Sequence, residues 1–214
     1  MPKSTPRARV GIGLGIGVWC SLVLSGFLAL IAYADRPGEV GTPPETWPAE
    51  VSIAPDPTAP TLLVFLHPHC PCSTATMDEL ERLLGEARGD VRTILVYGRP
   101  SGEGDAWASG GLWERGVRIP GATRVIDAGG RLASSFGATT SGHTILYDAE
   151  GRLVFHGGIT DSRGHEGASY GRAALRDAID GLPISTPTLP VFGCPLVRDG
   201  TSAEACELCG EGAP

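Results

Sequence analysis

Beyond its first nine residues this chain has no dense cluster of lysine or arginine, and its formal net charge is −7. Nucleic-acid binding normally shows a basic face, so this charge balance argues against a phosphate backbone as partner. No internal repeat is present, and no G-x-G-x-x-G follows a strand; Gly11, Gly13, Gly15 and Gly17 alternate inside an apolar run instead. Trp19 stands before Cys20 where a lipid-attachment motif needs a small residue. Gly210 stands after the pair Cys206 and Cys209 where haem attachment needs histidine. With Cys194 these make C-x11-C-x2-C, three thiols without a clear fourth ligand, so a closed zinc site is not expected.

What is present begins with a span. Residues 1–9 carry Lys3, Arg7 and Arg9 and no acid, and Val10 to Ala34 has no charge at all. As a helix, 10–34 would reach about 37 Å, enough to cross a ~30 Å hydrocarbon core. Positive charge ahead of it keeps the N-terminus cytoplasmic and sends the rest outside. Ala32-Tyr33-Ala34 resembles a signal-peptidase site, so an uncleaved anchor and a cleaved signal peptide both remain open; the length of the run favours the anchor. Gly13, Gly17, Ser21 and Ser25 form a small-residue stripe at every fourth position, which either lets two membrane helices approach or reflects the ordinary frequency of glycine in such helices. Residues 35–60 contain seven prolines and read as a semi-extended spacer.

A folded domain is expected over 61–181, followed by a cysteine-containing tail, 182–214. TLLVFL, VRTILVYG and ATRVIDA read as buried strands, and Ser73–Leu84 as a helix with Met77, Leu80, Leu83 and Leu84 on one face. Asp105–Gly116, RLASSFG and Ala168–Ile179 read as helices. HTILYD and RLVFHGG flank Ala149-Glu150-Gly151 as a β-hairpin. The order predicts an α/β fold: a largely parallel sheet covered by helices on both faces, with the hairpin adding an antiparallel edge.

Between the first strand and the first helix lies HPHCPC. The unpaired N–H groups and positive dipole end of a helix N-terminus favour a thiolate there, which lowers the Cys70 pKa. His69 precedes Cys70, and its imidazolium would support that thiolate; a solvated loop histidine is the alternative. His67 alternates with it, His156 reads as a satisfied strand histidine, and His165 lies in a glycine-rich loop before the last helix.

Strand, cysteine pair, helix and later hairpin resemble the thioredoxin superfamily over about Thr61 to Gly181. SFGATTSGHTILYDAEGRLVFHGG is similar to its peroxiredoxin and thiol-oxidoreductase branch, and HPHCPC with the FGCP tail resembles bacterial membrane-anchored proteins of the RedB type. The resemblance implies a thioredoxin-like fold, a central mixed sheet flanked by helices behind one transmembrane helix. It also implies a single-pass protein of the bacterial inner membrane with a periplasmic domain, whose partners are protein or small-molecule thiols and disulfides. Cys70 would attack and Cys72 resolve, with no cofactor required. Peroxidase activity is disfavoured, since His67 stands where that branch places Thr or Ser. Only Pro71 separates the cysteines where thioredoxins have two residues, so a Cys70–Cys72 disulfide would be strained and easily reduced. His143 is aligned with the family's cis-proline, facing the thiols as a proton shuttle or as a third ligand. The alternative is thus a copper carrier resembling the Sco group, holding copper through Cys70, Cys72 and His143. For Cys194, Cys206 and Cys209 the first expectation is an oxidised staple, with disulfide exchange or metal binding at the CPC pair as alternatives.

Overall fold

The structure, a computed structural model, describes residues 6–196. It divides into two compact units, residues 1–36 and 37–214. In the first, Pro6–Ala34 is one helix (α1). Its stretch Ile12–Ala34 has a mean hydropathy of 2.2, and so is long and apolar enough to span a membrane. The hydroxyls of Ser21 and Ser25 donate to the carbonyls of Gly17 and Leu22 in the same helix.

The second unit is built on five strands: β1 (Thr61–Leu66), β2 (Arg92–Arg99), β3 (Thr123–Ala128), β4 (His143–Tyr147) and β5 (Leu153–Gly157), in the order β3-β2-β1-β4-β5. β1 occupies the centre, which is why TLLVFL is apolar without alternation: every residue of it is buried. β1–β2 and β2–β3 are parallel, whereas β1–β4 and β4–β5 are antiparallel. The hairpin therefore supplies two of the five strands as the expected antiparallel edge, with β4 directly beside β1 and β5 outermost.

Helices α2 (Pro71–Glu86), α3 (Gly111–Arg118) and α5 (Tyr170–Ile179) contribute to the apolar layer on one face, where Met77, Leu80 and Leu83 of α2 meet Leu62, Val64 and Leu66. The short α4 (Arg131–Ser135) helps cover the other face with Leu132 and Ala133, against Leu63, Phe65 and Ile145. The helix expected over Asp105–Gly116 is displaced. A single 3-10 turn covers Asp105–Trp107, and α3 begins only at Gly111, because Gly110 is fully extended at φ −166°.

The proline-rich segment read as a spacer is laid along the domain instead. Trp47 packs edge-on against Phe136 and Tyr147 at 4.9 and 5.3 Å, and its backbone N–H donates to Gly151. Tyr147 Oη donates to the Pro44 carbonyl, and Gly38 N–H to that of Val191. After α5 the chain crosses back along β5: Leu189 N–H donates to the His156 carbonyl, and Gly158 N–H to that of Pro190. This C-terminal strap then runs on to Leu196.

Candidate active site

The site forms where β1 ends and α2 begins. Cys70 is the N-cap of α2, at φ −101° and ψ 123°, and Pro71 follows at a position where no N–H is needed and a fixed φ suits the helix. The turn is fixed from within: the His67 N–H donates to Ser73 Oγ, and the Ser73 N–H to the Cys70 carbonyl.

A third thiol enters from the strap. Cys194 Sγ lies 2.8 Å from Cys70 Sγ, and the sulfurs of Cys70, Cys72 and Cys194 all lie within 4.8 Å of one another. All three are free thiols. Ser141, in the loop before β4, joins strap to site. Its hydroxyl reaches Cys70 Sγ at 3.6 Å and accepts from the Cys194 N–H at 3.0 Å, and its own N–H donates to the Cys194 carbonyl at 2.8 Å.

These contacts divide the charge. Hydrogen bonds from Cys194, then Cys72, push the Cys70 pKa far below its ordinary value; burial opposes them and loses. The same Cys70 bond raises Cys194, with Cys72 and burial adding to it. At Cys72 the Cys194 contact is the largest influence and lowers the pKa. The bond to Cys70, burial and the Cys70 charge together outweigh it, and the net shift is upward. One thiolate, on Cys70, is thus held by two neutral thiols, a serine and the first turn of a helix. It borders an open pocket of about 390 Å³ whose rim includes Pro68, His69, Thr74, Gly164 and Glu166.

The histidines occupy separate settings. His69 Nε2 pairs with the Trp107 carbonyl at 3.0 Å, and its ring stands edge-on to Trp107 at 4.6 Å, so Trp107 holds this histidine through both backbone and indole. His67 is buried, its Nδ1 accepts from the His69 N–H, and desolvation lowers its pKa despite the Cys70 charge. His143 does not join the thiol group. It pairs with Phe65 across β1–β4, is fully buried, and its ring neighbours His156 at 5.7 Å. Neither ring nitrogen has a hydrogen-bond partner among the described residues, and burial, with the His156 charge, pushes its pKa down to about 3. The residue that touches Cys70 from the loop before β4 is Ser141, two positions earlier, and the third group beside Cys70 and Cys72 is the Cys194 sulfur. His156 is held by Thr188 Oγ1 through Nε2, and His165 is exposed.

The loop before α5 does reach the site. Gly164 offers its backbone N–H to Cys72, and the Arg163 guanidinium donates to the Gly193 carbonyl of the strap. Behind this loop the buried Glu79 accepts from the Gly167 N–H and pairs with Arg82 and Arg172. Ser141, Arg163 and Gly164 were missed from sequence; the glycine-rich composition around Gly164 was the one available signal. Cys206 and Cys209 lie outside the described residues.

A central β1 whose C-terminal end delivers a cysteine to a helix N-terminus, beside two parallel strands and an antiparallel hairpin, decides the fold. The fold is thioredoxin-like. No family model and no curated protein matches the chain. Among solved structures, a hypothetical protein from Sinorhizobium meliloti is 23% identical with a TM-score of 0.54, over 78% of this chain and 99% of that one. An uncharacterized conserved protein from Geobacillus kaustophilus is 18% identical with a TM-score of 0.55, over 78% and 95%. The pneumococcal exposed lipoprotein thioredoxin Etrx1 from Streptococcus pneumoniae is 19% identical with a TM-score of 0.41, over 58% and 85%. What the thioredoxin-like scaffold contributes is the position of Cys70; the strap and Ser141 supply its surroundings.

Proposed function

We propose that this chain is an exported, membrane-tethered thiol–disulfide oxidoreductase whose attacking group is the Cys70 thiolate. The observation that carries this reading is the Cys70 sulfur, held by two thiols at the edge of an open pocket. The thiolate is the species that attacks a disulfide, and a thiol poised alongside completes exchange by releasing the mixed disulfide. The pocket admits a substrate sulfur to Cys70 between His69 and the Gly164 loop. The test is exchange of a chromogenic disulfide by the full chain in detergent: Cys70→Ser should fall to the uncatalysed rate. Retention of activity by that variant would overturn the assignment.

Three sulfurs within 4.8 Å favour a second reading, a carrier for a soft monovalent metal such as Cu(I). The donor set fits through Cys70, Cys72 and Cys194; His143 stays outside it. Cys194→Ser should weaken Cu(I) binding in a competition titration while His143→Ala leaves it unchanged, and the opposite order would restore the histidine as ligand.

A further inference from the structure

We propose that the disulfide formed during exchange joins Cys70 to Cys194, so that the C-terminal strap carries the resolving thiol. This rests on Cys70 being the exchanging nucleophile. Three observations support it. The Cys70–Cys194 sulfur separation of 2.8 Å has only to close to the ~2.05 Å of a disulfide. Cys194 is also held on both sides. Ser141 grips its N–H and its carbonyl, and Leu196 N–H donates to the Thr139 carbonyl just beyond it. Ahead of it the strap must approach closely: a Cβ on Gly193 would fall 2.0 Å from the Ser141 carbonyl oxygen, so glycine is required for Cys194 to reach Cys70. Cys72 is the poorer partner. It lies two residues from Cys70 across a proline of fixed φ, inside the first turn of α2, and a disulfide there closes a small strained ring.

In the reducing direction the Cys70 thiolate attacks one sulfur of a substrate disulfide. That S–S bond breaks, a Cys70 mixed disulfide forms, and the first half leaves as a thiolate. The leaving thiolate takes the Cys194 proton, and Cys194 Sγ attacks Cys70 Sγ. The mixed disulfide breaks and the second half departs as a thiolate. Two electrons pass from the Cys70–Cys194 dithiol to the substrate, and an external dithiol restores the pair by the same exchange in reverse. Cys72 remains a thiol throughout, donating to Cys70 while Cys70 is a thiolate. Because the two cysteines are 124 residues apart, oxidation also ties the strap to the start of α2.

The experiment oxidises reduced full-length protein in detergent with one equivalent of hydroxyethyl disulfide, alkylates the remaining thiols, and maps disulfides by non-reducing peptide mass spectrometry. Wild type, Cys72→Ser and a Cys206→Ser/Cys209→Ser variant should each yield the Cys70–Cys194 cross-linked peptide. Cys194→Ser should instead accumulate the mercaptoethanol adduct on Cys70, and Gly193→Ala should form the cross-link more slowly. A Cys70–Cys72 peptide in wild type, or adduct accumulation in Cys72→Ser but not in Cys194→Ser, would overturn the proposal and leave the oxidoreductase standing. No adduct on Cys70 in any variant would overturn the oxidoreductase reading and this one with it. Wild-type mapping needs no substitution, so the result does not depend on a variant folding.

Discussion

At the scale of single residues the site is governed by where one negative charge rests. Two thiol donors, Ser141 Oγ and the Ser73 N–H all favour it on Cys70. Alkylation of Cys70 by iodoacetamide should therefore be almost independent of pH from 6 to 8, where a free thiol of pKa about 8.5 accelerates nearly tenfold per unit. Removing Cys194 and Ser141 together should restore that slope, and a wild-type rate that rises through pH 8 would show that Cys70 is not the thiolate. His143 gives the opposite kind of prediction. Its folded pKa of about 3 lies below its ordinary 6.5, so the unfolded chain binds the extra proton between those values. Its neutral, buried state then adds full stability above pH 6.5, and this is lost as pH falls toward 3, by an amount on the order of a few kcal/mol. His143→Leu should flatten the acid limb of the unfolding free energy; an unchanged limb would place the titration elsewhere. His143 lies apart from the three sulfurs for a reason of register. Placing it at the thiols put the loop residue that faces Cys70 two positions too late, and His143 is already in β4, opposite Phe65.

At the scale of elements, what was legible was local. TLLVFL, the α2 face and the Asp148–Gly151 turn announce themselves by apolar runs, helical spacing and glycine, and Cys70 and Cys72 could be placed because they sit between a readable strand and a readable helix. The strap could not, since nothing in FGCP states which of the distant elements it will touch. The same holds for residues 37–60: a proline-rich, aperiodic segment is neither helix nor strand, but that does not leave it unpacked. Its carbonyls and Trp47 find partners on β4, β5 and α4's end through irregular hydrogen bonds, which carry no periodicity to detect. The loop before α5 hangs on a buried carboxylate. Glu79→Ala would leave the Gly167 N–H unpartnered and the Arg82 and Arg172 guanidinia without their shared acceptor. Both arginines are partly exposed, so the expected loss is about 1–3 kcal/mol in denaturant unfolding. Limited proteolysis should show cleavage within 161–169 before any other site. Global destabilisation with that loop still protected would mean Glu79 serves the core alone.

At the scale of the whole molecule, the two compact units carry separable predictions. The charge-free stretch 10–34 of α1 gives the membrane expectation: the intact chain should sediment with membranes and resist carbonate extraction, and an N-terminus beginning at Asp35 on the mature protein would show cleavage instead. The second unit begins at Pro37, not at β1. Deleting residues 1–36 should therefore release a water-soluble domain that still exchanges disulfides. Deleting residues 1–60 should not be equivalent, although every strand and helix of the sheet layer survives. It strips Trp47 from Phe136 and Tyr147, leaves Tyr147 Oη without the Pro44 carbonyl, and removes the Gly38 N–H that fixes the strap at Val191. Loss of a half-buried tryptophan and a buried hydroxyl's partner amounts to about 3 kcal/mol, which for a domain of this size lowers Tm by roughly 6–12 °C. Because the strap carries Cys194, the shorter domain should also form the Cys70 cross-link more slowly than the longer one. Equal melting temperatures for the two deletions would return residues 37–60 to the status of a spacer.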